Sequence, residues 1–402
     1  MKFIRYSAGL LLVIVLSSSF HTPSFLHPDW GFFAHRRINR LAVFTLPPEM
    51  MVFFKPHIDW LADHATDADM RRYASPNEAP RHFIDLDQYG PPFDHLPQSR
   101  YAALVLFTDV GFVDANGDTA YIAQHSKPVS EELHRAYDRF FFNNVLPRLG
   151  AEDQSLNVDS INLFFNRNGL NLSAQSAFFR EHLGEHGLLP WHLQKMERDL
   201  TEAFRRKDSR RILRLCADMG HYIGDAHVPL HTTSNYNGQK TGQTGIHGFW
   251  ESRIPELFAD DQYDYFVGKA EYIEHTTDYF WGVVFTSNSM VDSVLTLERA
   301  LRLSFPPDRQ MCPDLRNGLS VITPCRDFAA AYQDLMQGMV ERRMRAAIHS
   351  VASVWYTAWV DAGQPDLSDL PNALPSKEEL EEDAELRRKF QAGAMQGRVE
   401  EH

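Results

Sequence analysis

Two histidine–carboxylate pairs stand at helical spacing in this chain, and both have the chemistry of metal ligands. The first is His221-x-x-x-Asp225, followed beyond Pro229 by His231. Residues four apart on a helix leave from the same face, so His221 and Asp225 point one way. Pro229 ends the helix, and the turn behind it lets His231 approach from a loop. The second pair is His247-x-x-x-Glu251, reached through residues 232–246, a stretch rich in Gly, Asn, Gln and Thr. Imidazole nitrogens combined with carboxylate oxygens suit zinc. One such pair alone reads more readily as an ion pair steadying a helix end. Two pairs and a loop histidine between positions 221 and 251 make chance pairing the weaker account.

Further candidates lie upstream. Asp67 precedes Ala68-Asp69, and His82 sits in Pro80-Arg81-His82-Phe83-Ile84-Asp85. Alone, either is more often a cap or a satisfied core group. Trp30 and His35 come earlier still, with His35 at the start of the first amphipathic segment.

Helices must position these groups. Apolar residues recur at helical spacing over 34–44, 191–205 and 209–225, with Asp208 as N-cap of the last. Residues 248–258, 279–285 and 290–303 read as helical, and 328–360 as one long helix or two. Strand alternation is hard to find, so the expected fold is all-α, a compact multi-helix domain. Residues 87–184 are less regular and read as an enlarged, irregular insertion. Within them Asp114-Ala-Asn-Gly-Asp118 starts like a calcium loop. Its twelfth position is His125 rather than glutamate, so a plain turn is expected.

The ordered set of motifs resembles the superfamily of zinc-dependent phospholipases C and single-strand-specific nucleases. Trp30…His35, Asp67…His82, His221-x-x-x-Asp225-x-x-x-x-x-His231 and His247-x-x-x-Glu251 match its signature in sequence order. The resemblance implies a helical fold and up to three zinc ions. It implies that Asp67, His82, His221 and Asp225 hold one ion. Asp225 would bridge to a close partner completed by His35 and the amine and carbonyl of Trp30. His231, His247 and Glu251 would hold the third. It further implies phosphodiester hydrolysis by a hydroxide bridging the close zinc pair, with Asp67 orienting it or taking its proton. Glu251 is similar to the phospholipase branch, whereas the nuclease branch usually has aspartate there. A phospholipid is therefore the first expected substrate, a single-stranded nucleic acid the second. A zinc-holding protein without catalysis is the remaining reading.

Composition bounds these expectations. The formal net charge is -13, which disfavours coating a nucleic-acid duplex but leaves a nucleic-acid enzyme open. Lys2 and Arg5 precede an apolar run over 8–16 and then Ser17-Ser18-Ser19. Residues 1–20 therefore read as a signal peptide of an exported protein, periplasmic or secreted, and the run is too short to span a bilayer. The helical domain is assigned to 30–365 and a charged tail to 366–402, a solvated or frayed helix in part. Cys312 and Cys325 bracket a loop and are compatible with a disulfide or with two thiols. Cys216 reads as a small core residue. The basic run Arg205, Arg206, Lys207, Arg210, Arg211 reads as a solvated turn between helices, with phosphate contact as the sharper alternative.

Overall fold

The computed structural model describes residues 32–93, 96–122, 130–150, 153–316, 319–370, 376–393 and 395. The expected signal peptide and Trp30 lie outside the described residues. The first helices are α1 (Phe32–Val43), α2 (Pro48–Phe54), α3 (Ile58–Asp63) and the short α4 (Asp67–Arg71). After α5 (Arg100–Leu106), α6 (Glu131–Phe140) and α7 (Val158–Arg167) come the long neighbours α8 (Leu189–Arg205) and α9 (Ser209–Ala226). The turn α10 (Ile246–Gly248) runs through a π-helical turn, Phe249–Arg253, into α11 (Ile254–Gln262). Then follow α12 (Thr276–Asn288), α13 (Val291–Ser304), α14 (Arg326–Leu335), α15 (Met339–Asp361) and α16 (Lys377–Gln391).

Helix α9 is the axis. Asp208 caps it by accepting from the Arg211 amide, and its last eight residues are all buried. It packs against α8, α1 and α15. Helix α15 brings Ala347, Ile348, Val351, Trp355 and Ala358 to the main apolar core. The 328–360 region divides into two helices at Gly338, which takes φ +75°, a conformation glycine adopts without steric cost. A second apolar cluster joins Ala34, Val228, Leu230, Phe249, Trp250 and Ile254 to Phe328 and Tyr332. Ala34 belongs to this cluster and Ile38 to the main core, so His35 stands where the two meet.

The described residues are mostly helical, as expected of an all-α domain, and two small antiparallel sheets stand beside the helices. Residues 87–184 hold an antiparallel sheet of order β2-β1-β4-β3, made of β1 (Thr108–Val113), β2 (Thr119–Tyr121), β3 (Ser155–Leu156) and β4 (Ser176–Glu181). Turn 114–118 joins β1 to β2. Asp114 accepts from the Asn116 and Asp118 amides while Gly117 takes φ +87°. A separate hairpin, β5 (Met311–Arg316) with β6 (Leu319–Pro324), fills the segment between the two cysteines, and Cys312 and Cys325 are disulfide-bonded at its base. Both sheets escape a search for alternation because their strands are six residues at most, and prolines and glycine interrupt the pattern.

The C-terminal region forms α16, half-buried along one face and exposed on the other. Ser376 and Glu379 close a capping box at its start. Arg210 and Arg214 of α9 pair with Glu379 and Asp383, and Phe390 sets its ring against Phe32 and Tyr73. Part of the basic run is thus engaged by an acidic helix.

Candidate metal centre

Five separate stretches of chain converge at the buried end of α9. His221 and Asp225 come from the helix itself, and His231 from the turn after Pro229. Helix α1 brings His35, α4 brings Asp69, and the 3-10 turn Ala79–His82 brings His82. Two glycines on α9 permit the approach of α1. A Cβ at Gly220 would lie 1.7 Å from Asn39 Oδ1, and one at Gly224 would lie 2.8 Å from His35 Nδ1. Asn39 then ties the helices together by donating to the Ala217 and Leu61 carbonyls, at 3.0 and 3.3 Å. His247 arrives on α10 and Glu251 on the π-helical turn that follows it. Such turns are rare and often accompany functional sites.

The cluster is built around two carboxylates that divide their oxygens. Asp225 Oδ2 lies 3.0 Å from His82 Nδ1 and 3.4 Å from His221 Nε2. Its Oδ1 lies 3.4 Å from His35 Nε2 and 3.8 Å from His231 Nε2. Glu251 turns Oε1 toward His35 Nε2 at 3.1 Å and Oε2 toward His247 and His231 Nε2 at 2.8 and 3.4 Å. Asp69 Oδ1 closes the far side at 3.6 Å from His221 Nε2 and 3.7 Å from His82 Nδ1. Ligands about 2.0–2.1 Å from a zinc ion at tetrahedral angles stand roughly 3.3–3.4 Å apart. The donor spacings bracket that value.

Neighbouring groups fix which nitrogen each ring offers. The Ala65 carbonyl accepts from His221 Nδ1 at 2.8 Å, and the Tyr236 carbonyl from His247 Nδ1 at 3.2 Å. A carbonyl only accepts, so those nitrogens carry protons and both Nε2 atoms are the ones turned to the cluster. His82 is reversed. Its Nδ1 faces the cluster while Nε2 looks toward Glu78 Oε1 at 3.7 Å. Glu78 is itself held by Tyr222, Arg71 and Arg81. His35 Nδ1 is buried with no hydrogen-bond partner among the described residues.

Electrostatics favour a resident cation. Burial opposes ionisation of Asp225, yet His221 and His231 hold its carboxyl well below the usual range. Burial likewise works against Glu251, but hydrogen bonds from His231, His247 and His35 keep it far below its ordinary value. Asp69 is lowered by His221 and His82 against the same penalty. Burial opposes a charged His221, and Asp225 and Asp69 outweigh it and raise its pKa well above 6.5, so a metal ion at Nε2 would take the place of a proton there. Three ionised carboxylates thus face one small space rich in imidazole nitrogen.

The donors form three groups that could each hold a metal ion: Asp69, His82 and His221; His35, His221 and Asp225; and His231, His247 and Glu251. His221 has one free nitrogen and serves a single ion, so Glu251 Oε1 is the natural further donor beside His35 and Asp225. Nitrogen and carboxylate donors without thiolate fit zinc.

Of the residues singled out in the sequence, the structure brings together His35, His82, His221, Asp225, His231, His247 and Glu251. Asp67 is the correction. It pairs with His64 at 2.6 Å and turns away, while Asp69 takes the place expected of it. Two positions apart on a helical turn, the two carboxylates diverge by about 200°, so only one faces α9. Arg72, which stands 3.5 Å from Asp69, and Glu78 are further charged residues at the site that pattern reading passed over. No family model matches the chain, and no curated protein matches it.

Proposed function

We propose that the chain is a zinc-dependent phosphodiester hydrolase of the phospholipase C kind. The observation that carries the reading is the convergence of eight histidine and carboxylate residues, of which Asp225 and Glu251 each face more than one metal position. A site holding a single structural ion needs four ligands and no shared oxygens. Adjacent ions are the arrangement used for in-line displacement at phosphorus.

Asp69, His82, His221 and Asp225 would hold one ion, His35 with Asp225 and Glu251 a second, and His231, His247 and Glu251 a third. When bound, such ions polarise a phosphoryl oxygen and make water acidic enough to be a nucleophile near neutral pH. The side chains supply the rest. Asp69 has a side chain 19% exposed, while the other donors are almost fully buried. It is therefore the carboxylate placed to meet solvent, to orient an attacking water and to accept its proton. Arg72 and the two imidazoles beside it hold that carboxylate ionised and in position. The Ala65 and Tyr236 carbonyls keep the His221 and His247 rings from turning.

An exported location is consistent with the charged and apolar N-terminus and with the Cys312–Cys325 disulfide. The net charge of -13 supports phospholipid over single-stranded nucleic acid, because a polyanion is repelled at long range. The test is a paired assay of zinc-loaded protein on phosphatidylcholine micelles and on single-stranded DNA, each repeated with chelator. Release of a phosphorylated headgroup that chelator abolishes is the expected result. Cleavage of DNA alone would move the reading to a nuclease, and cleavage of neither would leave a zinc-holding protein.

A further inference from the structure

The β5–β6 hairpin is amphipathic in the reverse sense. In a strand, alternate residues share a face, and Met311 pairs with Pro324 while Pro313 pairs with Ile322. Apart from Ser320, which pairs with Leu315, that face is apolar and turned to solvent, with Met311 50%, Leu315 74% and Ile322 66% exposed. The opposite face carries Cys312, Asp314 and the buried Thr323, and is the one fastened to the body. A hairpin serving only to cover a core would point its apolar side inward. Beside its base, where Gln310 donates to the Arg302 and Phe305 carbonyls, Leu303 at the end of α13 is also exposed.

Two observations indicate what covers this face. The chain is strongly acidic, yet residues 299–327 contain five arginines against three aspartates, and Arg302, Arg309 and Arg326 are exposed near the hairpin, Arg302 paired with Glu298 and Arg309 with Asp327. Apolar side chains ringed by arginine match a lipid surface, whose phosphates lie just above the acyl boundary. The hairpin is also coupled to the metal centre. Arg253 donates to the Pro324 carbonyl at 3.1 Å and to Asp314 at 2.9 Å, and it ends the π-helical turn that carries Glu251.

We propose that the outer face of this hairpin docks on a phospholipid surface, with Met311, Leu315 and Ile322 entering the headgroup–acyl boundary and the flanking arginines meeting lipid phosphates. The choice of a lipid occupant rests on the phospholipase reading. The disulfide holds the two strands together, so the three side chains enter as one unit.

The full chain is sedimented with vesicles of phosphatidylcholine, plain and doped with phosphatidylserine, beside the triple variant Met311→Ser, Leu315→Ser, Ile322→Ser. These positions are exposed, and circular dichroism checks that the variant folds. The expected result is a partition about a hundredfold weaker for the variant, with binding by the natural chain strengthened by phosphatidylserine. Turnover of the water-soluble diester p-nitrophenylphosphorylcholine should be equal in the two. Equal sedimentation of variant and natural chain overturns the proposal. So does failure of the natural chain to bind either vesicle, or a natural-chain dimer that the variant splits. Vesicle binding without turnover of the soluble diester keeps the docking surface and removes the hydrolase reading instead.

Discussion

His221 and His182 each stand between two carboxylates, yet they make very different places. His182 Nε2 lies 3.1 Å from Asp109 and Nδ1 lies 2.9 Å from Glu185, both shorter than most contacts at the metal centre. Both of its nitrogens are spoken for, the acids are more than half exposed, and water screens the group. At His221 a backbone carbonyl takes one nitrogen, and the other faces Asp69, Asp225 and His82 in a buried space. Distance therefore does not mark a binding site. What marks it is a set of lone pairs aimed at one point, shut off from solvent, with their protons directed elsewhere.

The largest expected break in this contrast comes from removing metal. Dialysis against a chelator should abolish turnover and lower the thermal midpoint, and zinc should restore both. The lost stability is about 4 kcal/mol for each site held a thousandfold above its dissociation constant. An unchanged midpoint, followed by circular dichroism, would deny the centre any resident ion. Next, Asp225→Asn should cut kcat/KM at least about a hundredfold and reduce the zinc content measured by elemental analysis. Asp109→Asn beside His182 should change neither.

A sharper comparison sits within one helical turn. Asp69→Asn should cost turnover on the order of a hundredfold, whereas Asp67→Asn should leave zinc content and turnover close to those of the natural chain. The reverse ranking in steady-state kinetics would return the role to Asp67. Gly224→Ala should cost about 1–3 kcal/mol in chemical denaturation and loosen zinc binding, because its methyl would push His35 aside. The smallest effect belongs to His182. Its hydrogen bond with Glu185 and the Asp109 contact raise its pKa above 6.5 against a modest burial penalty. That stabilisation is whole below pH 6.5 and lost as pH rises through the higher folded value. At an exposed site it amounts to less than about 1 kcal/mol. The midpoint gap between the natural chain and His182→Gln should therefore shrink from pH 6 to pH 8, and a gap that widens would reverse the assignment.

Much of the candidate centre was legible because its donor residues sit at spacings that local geometry dictates. His221 with Asp225 and His247 with Glu251 are four apart, and the break at Pro229 freed His231. Asp67 against Asp69 was not legible, since the face that α4 turns to α9 depends on packing between distant segments. The split of 328–360 into two helices was left open in the sequence, and the left-handed turn at Gly338 decides it. The sheet between 108 and 181 was hidden because β3 has two residues, β2 has three, and pairing across long gaps holds them together. The hairpin was hidden for the opposite reason. Prolines at 313 and 324 argued for a loop, but an isolated two-stranded hairpin can place them where no ladder bond is lost.

The division of Asp225 and Glu251 oxygens has a consequence for how the centre fills. A carboxylate pulled toward one cation donates less electron density to the next and is oriented for it in advance, so the proposed function requires loading steps that are not independent. A calorimetric zinc titration of the stripped protein should refuse a fit to three separate isotherms, and a substitution at His247 should alter the affinity measured at His82 through groups that neither residue touches in common.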